Sequence, residues 1–210
     1  MDGFQAYGAG KAGGVFDPMT FFRQPQTLVR ILCWLFSIVI LGCVANEGYT
    51  NRPEEDEEFC IFNRNQNACT YAVSMGTLCF LCCTAFIVLD VYFPQISGVK
   101  DRKKAVMADI GVSALWSLVW FVGFCFLANQ WQVSKIEDNP LNEGADAARA
   151  SIVFSFISVF TWAVQCLLAV YKFKLGADSV TFSHEYVDPN QQEAVEEVPP
   201  PEAWTGGTSE

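Results

Sequence analysis

A chain of 210 residues with a formal net charge of −10 is long enough for one ordinary soluble domain, but its composition excludes that reading. Apolar residues supply 51% and charged residues 17%, against roughly 25% charged in a typical globular chain. The apolar residues fall in long blocks, with 18 Phe and 6 Trp among them, where a soluble core would show short alternations.

Residues 1–27 read as a flexible arm. Within it, Gly8-Ala9-Gly10-Lys11-Ala12-Gly13-Gly14 lacks the spacing and the Ser or Thr of a phosphate loop. Four apolar stretches then follow, at about 28–45, 72–93, 105–128 and 147–171. Each is long enough to cross about 30 Å of hydrocarbon as a helix. The predicted fold is therefore an all-α membrane protein, a four-transmembrane-helix bundle over 28–171. The polar arm ahead of the first span lacks the short basic leader of a cleaved signal peptide, so that span is expected to be retained as an anchor. Asp2 is incompatible with N-myristoylation, which needs glycine there.

Lys and Arg set the expected orientation. Lys11, Arg23 and Arg30 flank the first span, Lys100, Arg102, Lys103 and Lys104 fill the middle loop, and Lys172 and Lys174 follow the last span. The opposite side carries only Arg52, Arg64, Lys135 and Arg149. Both termini and the middle basic loop at the membrane interface are thus expected in the cytosol. The two other loops, which hold Glu54 to Glu58 and Glu137, Asp138, Glu143 and Asp146, are expected in the lumen. Tyr49, Tyr71 and Trp131 on one side, with Tyr92, Phe93 and Tyr171 on the other, fit interfacial belts.

Seven of the nine cysteines fall within spans, where a thiol acts as a small apolar group. Only Cys60 and Cys69 share the expected lumenal loop, and a disulfide between them is predicted there. Cys79-x-x-Cys82 has redox spacing but no second pair and no nearby histidine. His184 is the single histidine of the chain, so no catalytic triad or His-based metal site can be assembled. No catalytic, cofactor-binding or metal residues are expected, and no cofactor, nucleic acid or small-molecule substrate.

The intramembrane ionisable residues Asp90, Asp109 and Arg149 are functional candidates by position. Asp90 and Asp109 flank the basic middle loop, which predicts that they reach the interface and pair with Arg102, Lys103 or Lys104. The competing reading is a proton or cation path. Near the midplane such a path would have only scattered Ser, Thr and Gln165. Small residues at four-residue intervals (Ala72 and Gly76, Ser113 and Ser117, Ala147, Ser151 and Ser155) predict closely packed helices. Residues 172–210 are acidic and end near Pro199-Pro200-Pro201, which predicts a disordered tail able to meet cytosolic partners. No Asn-x-Ser/Thr sequon occurs.

Several blocks carry a family likeness. They are Asn46-Glu47-Gly48-Tyr49, Cys60-Ile61-Phe62-Asn63-Arg64-Asn65, Asp90-Val91-Tyr92-Phe93-Pro94-Gln95-Ile96-Ser97 with Asp101-Arg102-Lys103, the run from Trp120 to Trp131, and Asp146-Ala147-Ala148-Arg149-Ala150 with Phe154-Ser155-Phe156. Together they resemble the synaptogyrins, over about residues 6–189. The resemblance implies a MARVEL-type bundle in synaptic or secretory vesicle membranes. It also implies a non-enzymatic role in vesicle formation, trafficking and regulated exocytosis, exercised among other vesicle membrane proteins in the lipid bilayer. Beyond Pro189 the tail departs from the family pattern. A small transporter or channel subunit using Asp90, Asp109 and Arg149 is the alternative.

Overall fold

The computed structural model describes residues 18–50, 58–96, 98–135 and 143–185. A short helix α1 (Pro18–Arg23) leads into α2 (Pro25–Glu47), a two-residue strand β1 (Tyr49–Thr50) and its antiparallel partner β2 (Phe59–Cys60). Then come α3 (Gln66–Tyr92), a single 3-10 turn (Phe93–Gln95), α4 (Val99–Val133) and α5 (Ala145–Glu185). Among the described residues, helices α2 to α5 are the four long enough and apolar enough to cross a bilayer.

The element ends follow from local chemistry. Pro25 opens α2, where its missing N–H costs nothing. The Asn65 side chain accepts a hydrogen bond from the Asn67 N–H and caps α3. Pro94 lies in the turn that ends α3. Gly144, at φ +65°, turns the chain into α5, and the Ala148 N–H bonds back to its carbonyl.

These helices overrun the apolar stretches. At 1.5 Å per residue, the 35 residues of α4 extend about 50 Å, well beyond the hydrocarbon. Hydropathy locates only the part of a helix that lies in lipid, whereas capping and side-chain contacts carry the backbone pattern into the interface. The same physics revises the expected arm and tail. Residues 18–23 form α1, residues 25–27 begin α2, and residues 172–185 continue α5. The glycine run, residues 54–57, Glu137, Asp138 and the proline run lie outside the described residues.

Helix α2 packs between α3 and α5, and α4 lies against α5, while α3 and α4 meet over a smaller contact. The buried positions repeat at alternating intervals of three and four. They are Cys69, Ala72, Gly76, Cys79 and Cys83 on α3, and Arg102, Val106, Asp109, Ser113, Trp116, Trp120, Gly123 and Leu127 on α4. On α5 they are Ala148, Ser151, Ser155, Ser158, Trp162, Gln165 and Ala169. A 3.5-residue repeat gives the small positive crossing angles of a left-handed bundle. Small residues allow the close approach. A Cβ on Gly76 would stand 3.2 Å from Leu41 Cβ, and one on Gly123 would stand 2.8 Å from the Tyr71 ring. The outward positions are large and apolar, as at Leu115, Leu118 and Leu167, and suit lipid contact.

At the hairpin end, the first long connection folds onto the bundle. Tyr49 faces Cys60 across the strands. The Ile61 N–H bonds to the Gly48 carbonyl, and the chain turns through Asn63 and Arg64, both at positive φ. Phe62 meets Trp131 edge to face, Asn63 donates to Gln130, and Arg64 lies over Phe59. A Cβ on Gly144 would come within 2.3 Å of the Glu47 carbonyl oxygen, a backbone atom that cannot yield. Gly144→Ala should therefore destabilise the protein by about 1–3 kcal/mol. Gly111→Ala, where a Cβ meets nothing within 4 Å, should be neutral or slightly stabilising. Thermal unfolding of the two variants in one detergent measures the contrast.

Candidate functional site

In a bilayer interior, a charge must find its partners within the protein. Arg30 lies in the first third of α2, and its side chain is 0% exposed. Its Nε donates to Asp90 Oδ2 of α3 at 2.7 Å, and its Nη2 donates to Asp109 Oδ2 of α4, also at 2.7 Å. Gln26, one turn earlier on α2, donates to the same Asp109 oxygen at 2.6 Å, and Ser113 Oγ donates to the other at 3.2 Å. From α5, the Gln165 amide reaches the same site: in the orientation that satisfies both of its polar atoms, its oxygen accepts from Arg30 Nη2 at 2.8 Å and its nitrogen donates to the Gln26 backbone carbonyl at 3.1 Å. The Phe86 ring covers the guanidinium at 4.8 Å. All four spanning helices thus meet at one side chain.

Lys172 of α5 lines the cleft that opens beside this centre, together with Asp90 and Asp109. Its Nζ rests 4.0 Å from the Phe93 ring centroid. Two cations and two carboxylates are therefore gathered at one level, and their formal charges cancel.

This arrangement corrects the expected pairing of Asp90 and Asp109 with the basic loop. Arg102 is itself buried and donates to the Ile96 carbonyl, Lys103 lies over Phe173, and Lys104 pairs with Asp101 on the surface. Lys100, Arg102, Lys103 and Lys104 occupy the first two turns of α4. Arg30 wins because its Cα lies on the inward stripe of α2, from which a planar fork reaches both acids with two parallel donors. The signal was present in the sequence: Arg30 sits on the three-four repeat with Cys33, Ser37 and Ile40. Arg149 belongs to a different place. It pairs with Asp146 at 3.6 Å on the exposed start of α5, at the hairpin end.

Below the charged centre, Trp116, Trp120 and Trp162 pack with Cys33, Cys79, Cys83 and Ile40. Trp116 stacks on Trp162 with ring centroids 6.0 Å apart. The serines of α5 point inward but are satisfied within their own helix: Ser151 donates to Ala148 O, Ser155 to Ser151 O and Ser158 to Phe154 O. Ser117 Oγ reaches across to Val159 O on α5. No group of three or more His, Cys, Asp or Glu among the described residues could hold a metal.

At the hairpin end, Cys60 and Cys69 are bonded, with Cα atoms 6.0 Å apart, and join β2 to the first turn of α3. Cys33, Cys43, Cys79, Cys82, Cys83, Cys125 and Cys166 are free. Three of the family-like blocks, Asn46 to Tyr49, Cys60 to Asn65 and Trp120 to Trp131, are distant in sequence but meet here. Gly48, Ile61, Asn63, Gln130, Trp131 and Gly144 are all part of this one cap.

Fold and centre together define a four-helix integral membrane protein with a charge-neutral polar lock in its interior. Residues 21–168 match the MARVEL family, a membrane-associating domain. The chain is 64% identical to synaptogyrin-1 of Rattus norvegicus over 194 residues, covering 92% of this chain and 83% of that protein. It is 62% identical to synaptogyrin-1 of Homo sapiens over 209 residues, covering 97% and 90%. Against synaptogyrin-2 of Bos taurus the identity is 48% over 184 residues, covering 88% and 80%. The chain belongs to the synaptogyrin family of MARVEL-domain proteins, and it is a multi-pass membrane protein of presynaptic vesicles.

Removing Arg30 would leave two carboxylates facing one another in the bundle. Arg30→Leu should lower stability by about 3–5 kcal/mol. The readout is earlier thermal unfolding in detergent, accompanied by earlier labelling of the buried thiols Cys33, Cys79 and Cys83. Arg30→Lys should recover little of the loss, because an ammonium cannot reproduce the two-pronged geometry.

Proposed function

We propose that this protein is a non-enzymatic structural component of synaptic and secretory vesicle membranes. In this role it organises the vesicle membrane and modulates vesicle formation, trafficking and regulated exocytosis alongside other vesicle membrane proteins. The observation that carries the proposal is the use of its charged residues. Arg30, Asp90 and Asp109 are committed to holding helices together, with the tryptophan layer packed beneath them. Membership of the synaptogyrin family supplies the vesicle setting.

Both termini and the basic start of α4 face the cytosol in this proposal, and the Cys60–Cys69 hairpin faces the lumen. The excess of Lys and Arg at the α1 end supports that orientation, and an oxidising lumen is where a disulfide persists. The alternative of a transporter or channel built on Asp90, Asp109 and Arg149 is disfavoured by their separation. Arg149 pairs with Asp146 at the far end of the bundle, and both carboxylates are held by Arg30.

Fractionation of expressing neurosecretory cells should place the protein chiefly in small vesicles, and accumulation in mitochondria or the plasma membrane would contradict the proposal. Protease added to sealed vesicles should remove epitopes at both termini and spare one inserted at residue 56. Cys60→Ser should leave membrane insertion intact yet speed cleavage of the first loop once vesicles are opened, because the bond that closes the hairpin is gone.

A further inference from the structure

The cleft beside the charged centre is lined mainly by α3 and α4, which pack against each other less closely than α2 does against α3 or α4 against α5. Asp90 is two residues from the end of α3, and Lys172 immediately follows the apolar run of α5. The cleft therefore opens at the level where the leaflet's headgroups begin. Its walls combine apolar surface from Phe86, Leu89 and Ala105 with the carboxylates of Asp90 and Asp109 and the ammonium of Lys172. Asp109 is already bonded at both oxygens, to Gln26 and Arg30 at Oδ2 and to Ser113 at Oδ1, which leaves Asp90 and Lys172 as the two charges that can face a ligand. Arg30 engages only Oδ2 of Asp90, and the Asp90 side chain keeps 13% of its surface exposed.

We infer that this cleft binds the headgroup of phosphatidylethanolamine, with the lipid ammonium on Asp90 and the phosphate on Lys172. A zwitterionic headgroup matches the two opposite charges and leaves the neutral centre neutral. The lipid's glycerol and acyl chains would continue along the apolar wall. Size selects among zwitterions. The free space inside holds about one water-sized group, which suits a primary ammonium and excludes the trimethylammonium of choline. The primary ammonium also donates hydrogen bonds to a carboxylate, which a quaternary one cannot do. This reading requires only that the chain spans a bilayer, so it stands or falls apart from the vesicle role.

The test is native mass spectrometry of the full chain released from micelles doped with equal amounts of phosphatidylethanolamine, phosphatidylcholine and phosphatidylglycerol. The wild-type protein should retain phosphatidylethanolamine about tenfold over phosphatidylcholine, the discrimination expected of one charge-assisted hydrogen bond. Lys172→Gln should reduce that preference. Ala105→Leu fills the cleft while leaving every charge in place, and it should bring the ratio to parity. Equal retention of the two zwitterions, a preference for phosphatidylglycerol, no retained lipid, or an Ala105→Leu protein with undiminished preference would each overturn the assignment.

Discussion

A guanidinium cannot remain in a hydrocarbon interior without partners, and the architecture of this protein follows from how Arg30 is satisfied. Its two parallel donors reach α3 and α4, and its amide neighbour Gln165 brings in α5. Lipid tails are as apolar as leucine, so no hydrophobic effect of the aqueous kind drives these helices together. The bonds at Arg30 are directional and fix rotation and depth at once. A helix turned by one residue would carry its acid out of reach. Such a lock gives specificity of arrangement, a role well attested for buried polar groups that set register.

Everything else in the interior is suited to close approach. Along α3 the inward stripe is Cys, Ala, Gly, Cys and Cys, and along α5 it is rich in serines whose hydroxyls fold back onto their own helix. Small side chains bring backbones together and raise dispersion contact. Bulky apolar side chains are concentrated in the tryptophan layer and in the hairpin cap. At the cap a closed disulfide, a left-handed Gly144 and the Phe62–Trp131 contact bind the first connection to the start of α5 and the end of α4. The bundle is thus fastened at both ends, by ion pairs near α1 and by covalent and aromatic contacts near the hairpin.

The four spans were legible because long apolar runs have one physical meaning in a chain of this length. Cys60 and Cys69 could be singled out from topology, since they alone shared a loop outside the spans. The inward faces were harder to read, because a membrane bundle is apolar on both sides and its helices carry almost no amphipathic signal. Serine, glycine and cysteine at three-four spacing mark the interior instead. Only fragments of that pattern, such as Ala72 with Gly76 and Ser151 with Ser155, could be recognised without neighbours. The charged centre was half legible. Asp90 and Asp109 announced themselves, but proximity in sequence pointed to the basic loop, whereas the partner stands 60 and 79 positions earlier in the chain. Helix ends escaped hydropathy because capping by Asn65 and the turn at Gly144 depend on backbone geometry, not on transfer to lipid.

The central claim is that Arg30 and Asp109 act as a unit holding α2 to α4. A double-mutant cycle of Arg30→Leu and Asp109→Asn, measured as unfolding free energy in bicelles, isolates that coupling. The structure predicts a coupling of about 2–3 kcal/mol, with the double variant more stable than the sum of the single losses allows. Additive losses, with a coupling near zero, would contradict it.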